Sequence, residues 1–394
     1  MLEKDIVQLS QEYYEEMKKL RHHFHMFPEL GFNEFNTSKT VEDELIKLNL
    51  DNVQKLAKTG VSAVIKGKYP GKTILLRADM DALPVNEEAD IEYKSKNKGV
   101  MHACGHDGHT AALLGTAMIL NNLKDKLHGN VKLVFQPAEE GDGGARLMIE
   151  EGVLDNPKVD AAIACHLWGN IPEGHVVIKN GPLMASCDDF MFKIVGKGGH
   201  GSTPELCIDP IDICINAMNT IRNFVSRRIS ALDPVVLSFG AINGGNSFNC
   251  IPDEVTVLGT LRTFNNDTRD FVINSMENIL KFMTESQGAK YSIEINRFAP
   301  TVVNDENMTK IAIKSFEKVI GENKIIEAKQ PYTGSEDFAF FTSEVPSVFF
   351  FTGIMKDKEV IHHNSHFQWD DINLLTSCRC LCQIAVDFLN DDNK

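Results

Sequence analysis

The stretch from Met101 to Thr110, Met-His-Ala-Cys-Gly-His-Asp-Gly-His-Thr, crowds a thiol, three imidazoles and a carboxylate around two glycines. Cys104 and His106 stand two apart, so an extended segment presents both on one side, where they can hold one ion. The plain alternative is a polar loop whose cysteine fills a small hole and whose histidines cap the next helix. Clustered rather than scattered Cys and His favour the metal reading.

Composition limits what such a stretch can belong to. At 394 residues the chain exceeds the size at which single cores stop growing, so two domains are expected, and 43% hydrophobic content fills both. The net charge of -15 excludes nucleic acid and anionic membrane as partners, since either needs a basic face. Nine cysteines, with Cys378, Cys380 and Cys382 bunched in a helical stretch, do not form a paired secretory framework and suit a reducing cytoplasm. Met-Leu-Glu-Lys-Asp-Ile at the start lacks the basic region and apolar core of a signal peptide. No apolar run is long enough to predict a membrane span.

In chain order, Leu9 to Met26 reads as a charged amphipathic helix and Thr37 to Leu48 as a second, capped by Thr37 or Ser38 with Val41, Leu45 and Leu48 on one face. The cluster His22-His23-Phe24-His25 lies among Lys18, Lys19 and Arg21, which predicts solvated side chains or a supporting role behind a metal. Val61 to Lys66 and Thr73 to Ala78 read as strands, the second a continuous apolar run of the kind buried on both faces. It ends in Ala-Asp-Met-Asp-Ala-Leu-Pro, delivering Asp79 and Asp81 where open α/β sheets place their sites. The Cys/His cluster opens a helix with Ala111, Leu114, Ala117 and Met118 as its buried stripe.

Strand Asn130 to Phe135 runs into Gln-Pro-Ala-Glu139-Glu140-Gly, and strand Asp160 to Cys165 into His166. Adjacent carboxylates point different ways, so one can bind an ion while its neighbour reaches the water on that ion. Successive apolar strands ending in such residues supply ligands to one rim of a parallel sheet.

After Gly181-Pro182 the pattern changes to strand (190–195), helix (210–226), strand (235–242), strand (254–262), helix (267–287), strand (291–296), a β-α-β-β-α-β succession that predicts a ferredoxin-like insert. The first helix carries the stripe Ile211, Cys214, Met218, Ile221, Val225. Expected boundaries are 1–184 and 298–394 for the main α/β domain and 185–297 for the insert. Within the insert, glycines surround His200, Asn249 offers an amide, and Arg262 ends an apolar strand, where an arginine commonly meets an anion. Each has a plain counterpart: turn histidine, turn asparagine, exposed strand-end arginine. A helix from 307 to 320, loops at 324–331 and 355–359, a strand from 347 to 352 and a helix from 372 to 390 complete the chain. Between the last two lies Ile-His362-His363-Asn-Ser-His-Phe367.

Taken together, Arg-Ala-Asp-Met-Asp-Ala-Leu-Pro, Met-His-Ala-Cys-Gly-His-Asp-Gly-His, Phe-Gln-Pro-Ala-Glu-Glu-Gly, Gly-Gly-His-Gly-Ser, Gly-Thr-Leu-Arg-Thr-Phe and Gly-Ser-Glu-Asp-Phe resemble the aminoacylase-type metallopeptidase superfamily. The resemblance is to the branch of hippurate hydrolase, N-acyl-amino-acid amidohydrolases and auxin-conjugate hydrolases, and it runs nearly end to end. It implies an α/β metallohydrolase domain, mostly parallel in its sheet, with an inserted ferredoxin-like lid that forms a homodimer. It further implies one or two divalent ions (zinc, manganese, nickel or cobalt) on Cys104, His106, Glu140, His166 and His363, with Asp79 and Asp81 behind them. His363 is preferred to His362 because the branch places its ligand four residues before an aromatic, here Phe367. Ser365 stands where the branch often has Pro, which leaves His362 as the lesser candidate.

The implied reaction is hydrolysis of N-acetyl or N-benzoyl L-amino acids. A divalent ion lowers the pKa of bound water from 15.7 toward about 7, and Glu139 would take its proton and pass it to the leaving amine. His200 would stabilise the oxyanion, from a closing insert or a partner subunit, and Arg262 with Asn249 would hold the free carboxylate. N-acetyldiaminopimelate deacetylase and dipeptidase are alternatives in the same superfamily. Cys104 as an acyl-enzyme nucleophile between His102 and His106, or an inactive metal-binding module, are the alternatives of other kinds.

Overall fold

The apolar runs that follow Gly60 form the middle of an eight-stranded sheet in the computed structural model, which describes residues 2–141 and 143–390. The chain divides into two compact units, Met1–Leu183 with Val302–Gln330 and Asp337–Lys394, and Met184–Thr301 with Pro331–Glu336. In chain order the elements are α1 (Leu2–Glu12), α2 (Tyr14–Met26), α3 (Phe35–Lys47), β1 (Asp51–Leu56), β2 (Gly60–Lys66), β3 (Tyr69–Asp79), α4 (His106–Asn122), β4 (His128–Gln136), α5 (Gly144–Glu150), β5 (Ala161–Pro172), β6 (Val176–Ile178) and β7 (Gly181–Met184). The second unit holds β8 (Cys187–Val195), β9 (Gly199–His200), α6 (Pro210–Arg228), β10 (Val235–Asn243), β11 (Cys250–Ile251), β12 (Glu254–Thr263), α7 (Asn266–Glu285) and β13 (Lys290–Ala299). The chain then continues through β14 (Val302–Asn304), α8 (Glu306–Val319), β15 (Ile325–Glu327), α9 (Ala339–Glu344), β16 (Ser347–Met355) and α10 (Asn373–Asn390).

In the first unit the sheet order is β1-β2-β4-β3-β5-β16-β6-β15. The central strands β4, β3, β5 and β16 run parallel, so their carboxyl ends share one edge. Helix α4 packs against α2, α10 and β3 and is buried on every side from His106 to Leu120, a wider burial than the stripe its sequence predicts. Two glycines make its start possible. Gly105 is left-handed at φ 100, and a side chain at Gly108 would collide with Trp369 and Leu167.

Several local expectations change. The helix expected over 9–26 breaks at Tyr13, whose ψ of 2 leaves helical geometry; no Gly or Pro marks the break in the sequence. Helix α3 starts earlier than expected, because the Glu29 carboxylate takes the amides of Asn36 and Thr37 at 2.9 Å each and leaves Thr37 and Ser38 buried inside the first turns. The basic cluster of α2 is split: Lys19 and His23 are exposed, while Arg21 is 1% exposed and His25 2%. The expected loop over 324–331 contains β15, where Ile325 and Ile326 pair in parallel with Val176 and Val177.

The second unit has sheet order β10-β12-β8-β13, antiparallel throughout, with α6 and α7 against one face. Phe190, Phe192, Ile194, Val255, Val257 and Leu261 meet Ile213, Cys214, Ala217, Met218 and Ile221 of α6 there. The real stripe of α6 is turned relative to the expected one: Ile211 is 37% exposed, and Ile213 and Ala217 are buried instead.

Candidate metal centre

Cys104, His106, Glu139, Glu140, His166 and His363 converge at the shared carboxyl edge of the first unit's sheet. Their donor atoms form overlapping sets, Cys104/His106/His166, Cys104/Glu140/His363 and His106/Glu139/Glu140, each within 4.8 Å. Four separate segments supply them: the loop running into the start of α4, the turn after β4, strand β5 and the loop after β16.

The hydrogen bonds fix which atoms are free to ligate. His106 Nδ1 donates to the Asp81 carbonyl at 2.9 Å, so the bare Nε2 faces inward. His166 Nδ1 donates to the Leu167 carbonyl at 2.6 Å, which leaves its Nε2 lone pair 3.4 Å from Cys104 Sγ. His363, left-handed at φ 59, sets its Nε2 3.3 Å from Glu140 Oε1. His362 turns the other way. Its Nε2 accepts from the Gly169 amide at 3.1 Å, so its Nδ1 carries the proton and lies 3.9 Å from the Cys104 sulfur.

A cation fits this donor set. His106 Nε2 and Glu140 Oε1 are buried, meet no hydrogen-bond partner of good geometry among the described residues, and stand 3.9 Å apart. Burial opposes charging of His106, yet Asp79, Asp81 and Glu140 outweigh it and lift its pKa to about 10. The field that would draw a proton there also draws a divalent ion. Burial, then Glu140 and Glu139, push the Cys104 thiol well above its usual range, and burial with His109 and His362 holds His166 well below its own. Neutral imidazole is the form a metal binds, whereas the raised thiol keeps its proton until a cation displaces it.

A second layer, largely unread in the sequence, holds these groups in place. His109 donates from Nδ1 to Asp79 Oδ1 at 2.6 Å and accepts the Leu167 amide on Nε2 at 2.9 Å. Arg77, fully buried, reaches Gln136 at 2.7 Å, Asp79 at 2.6 Å and Asp337 at 2.9 Å. Asp81 behaves differently from a simple carboxylate backing: its carbonyl orients His106, and its Oδ2 accepts the Glu140 amide at 3.0 Å. The Asp337 amide donates to Glu139 Oε1 at 3.4 Å. Behind α4, Arg21 stacks on the Trp369 ring at 3.6 Å and pairs with Asp107 and Asp371, while His25 bridges Asp107 at 2.9 Å and Glu87 at 3.2 Å. Period-two spacing revealed Asp79 and Asp81; nothing local to Arg77, His109 or Arg21 reveals their partners.

The turn that delivers Glu139 is strained. Ala138 is left-handed at φ 54, which costs a non-glycine residue about 1–2 kcal/mol. Its amide donates to Glu34 Oε1 at 2.9 Å, and Glu34 Oε2 accepts from Thr59 at 2.6 Å. Burial, and after it the Asp81 charge, raise the Glu34 carboxyl to about 7 against the bond from Thr59.

His102 does not flank Cys104 as a base. It is buried, its ring nitrogens find no hydrogen-bond partner among the described residues, and its ring lies 6.3 Å from that of His25. Burial lowers it to about 4.

In the second unit, His200 and Asn249 are brought together by β9 and β11: Cys250 pairs with His200, and the Gly201 amide bonds the Asn249 carbonyl at 2.8 Å. Both residues are exposed. The Ser202 amide and hydroxyl lie 3.1 and 2.8 Å from His200 Nδ1, so that nitrogen is the acceptor and Nε2 carries the proton. Arg262 lies on β12, bonded to the Thr260 hydroxyl at 2.5 Å and the Leu261 carbonyl at 3.2 Å; among the described residues no carboxylate pairs with it.

Comparison with known proteins agrees with this geometry. The model of peptidase family M20/M25/M40 matches residues 75–385. The hippurate hydrolase of Campylobacter jejuni is 36% identical, with 95% of this chain and 97% of that protein covered. An N-acyl-L-amino acid amidohydrolase of Geobacillus stearothermophilus is 42% identical over 78% of this chain and 83% of its own length. A Bacillus subtilis crystal structure, described as a dinuclear metal-binding peptidase, superposes with a TM-score of 0.84 at 33% identity, covering 96% of this chain and 99% of that one. With ligand-type side chains gathered at the sheet edge and the family's match spanning most of its length, the chain belongs to peptidase family M20/M25/M40, a hydrolase family.

Proposed function

We propose that the chain hydrolyses the amide bond of N-acyl L-amino acids, acetyl or benzoyl, to a carboxylate and a free amino acid. One observation carries this reading: Glu139 adjoins Glu140 in a set of metal-ligand-type atoms, with His106, Cys104, His166 and His363, that lie within 4.8 Å of one another in overlapping groups. Cys104, His106, Glu140, His166 and His363 would hold one or two divalent ions. Zinc, manganese, nickel and cobalt all suit such mixed ligands. When bound, the ions supply a water acidic enough to lose its proton near neutral pH and a positive charge for the carbonyl oxygen.

The chain's own residues supply the rest. Glu139 takes the proton from the attacking water and returns it to the departing amine. His200 Nε2–H donates to the oxyanion, whether its own chain or a partner chain presents it. Arg262 and Asn249 grip the substrate's free carboxylate, a planar group that a guanidinium matches with two parallel bonds. The names of the two relatives, hippurate hydrolase and N-acyl-L-amino acid amidohydrolase, support this substrate class. Homodimerisation through the second unit belongs to the same proposal.

The test is a hydrolysis screen over acetyl and benzoyl amino acids after reconstitution with each of the four metals. Turnover of N-acyl amino acids with none on dipeptides is expected. Faster turnover of dipeptides, or of N-acetyldiaminopimelate, would move the assignment to those substrates. Tight metal binding without hydrolysis of any would make the chain a binding module.

A further inference from the structure

Glu34 occupies the position preceding α3, where a side chain that accepts a hydrogen bond ordinarily caps the helix, and it makes no cap bond. Glu29 does that work by taking the amides of Asn36 and Thr37. Freed from capping, the Glu34 side chain turns inward, becomes fully buried and is shared between the Thr59 hydroxyl and the Ala138 amide. Ala138 is the left-handed residue immediately before Glu139.

We propose that Glu34 is a positioning residue for hydrolysis: by holding the Ala138 peptide in its left-handed turn, it sets the direction in which Glu139 leaves the chain. This rests on the reading of Glu139 as the base. A non-glycine residue stays left-handed only where its surroundings over-determine it. Here Pro137 has no amide to give, the Gly144 amide holds the Ala138 carbonyl at 3.2 Å, and Glu34 holds the Ala138 amide. Relaxation of that peptide rotates the next residue's side chain, and a misplacement of about 1 Å at a reacting group costs up to about a hundredfold in rate. The neighbouring ligand is anchored separately, since the Glu140 amide bonds Asp81. Loss of Glu34 therefore acts on Glu139 more than on metal binding.

The experiment compares Glu34→Leu, Glu34→Gln and Thr59→Val in the full chain, using kcat and KM on an N-acyl amino acid, metal affinity by calorimetry, and amide exchange at Ala138. Leu is similar in size and accepts no hydrogen bond; Gln keeps the acceptor for Ala138. Glu34→Leu is expected to lower kcat at least about tenfold, equal to about 1.4 kcal/mol, with KM and metal affinity within about threefold and faster exchange at Ala138. Glu34→Gln is expected to recover kcat to within about threefold, and Thr59→Val to lower it about threefold. Faster Ala138 exchange with unchanged kcat in Glu34→Leu overturns the proposal, as does an equal loss in Glu34→Gln. Should Glu34→Leu fail to fold, Thr59→Val decides: full kcat there overturns the proposal and reduced kcat at constant KM supports it. Failure of the underlying reading shows separately, as full activity in Glu139→Gln.

Discussion

At the carboxyl edge of the first unit's sheet, His106 leans on Asp81, His166 on the Leu167 carbonyl, Glu140 on Asp81 and Glu139 on the Asp337 amide, with Arg77 and His109 buried behind them. In the second unit, His200 and Asn249 stand exposed on a two-stranded ribbon, held by Ser202 and by bonds within the ribbon. The first arrangement has its orientation entropy settled during folding and its lone pairs aimed before any ligand arrives. The second has little packing to lose. Damage in the first unit should therefore reach stability as well as chemistry, and damage in the second should reach chemistry alone.

The sharpest way to break this contrast is Glu139→Gln, expected to lower kcat by at least about 10³-fold while calorimetry still shows metal binding. Near-normal kcat would remove Glu139 as the base. A smaller loss, about a hundredfold in kcat, is expected for His200→Ala. Its Tm should stay within about 1 °C of the parent, and a marked fall in Tm would show that the ribbon is more than a carrier.

The buried network behind α4 tests the stability side through pH. Burial opposes charging of His25, but its bonds to Asp107 and Glu87 more than compensate and raise it to about 9. Its ordinary value in the unfolded chain is about 6.5. A group whose folded pKa is raised stabilises fully below the unfolded value and not at all above the folded one, so the loss falls between about pH 6.5 and 9. The expected loss is on the order of 3 kcal/mol, seen in denaturant melts of the parent and much reduced in His25→Gln. A flat profile for the parent would contradict the charged bridge.

The smallest effect expected is for Arg262→Ala: a rise in KM of about tenfold for substrates with a free carboxylate, kcat nearly unchanged, and no effect on the corresponding carboxamides. Equal rises for acids and amides would leave Arg262 without its anion.

Much of the candidate centre was legible along the chain because its chemistry is carried by rare residue types at a helix start and at strand ends: Cys104 and His106 two apart, the Glu139-Glu140 pair, and His166 after an apolar run. The helices and strands of the insert were legible for a similar reason, since periodicity of apolar residues records which face is covered. What misled was burial of charge. Arg21 and His25 read as solvated or supporting side chains without a choice between the two, because hydropathy cannot know that Asp107 and Asp371 wait across the interior. Glu34 and Glu29 were silent for the same reason, as a carboxylate's partner amide can lie anywhere in the fold.

The sequence by itself determined the class of chemistry and the elements that carry it, because ligand identity and apolar period are properties of the residues themselves. Tertiary structure alone decided which nitrogen of each histidine is bare, that His362 turns its Nε2 to the Gly169 amide, and that Ala138 turns left-handed against Glu34. Those outcomes depend on hydrogen bonds between residues far apart in the chain, and such a bond exists only once folding has brought donor and acceptor within reach.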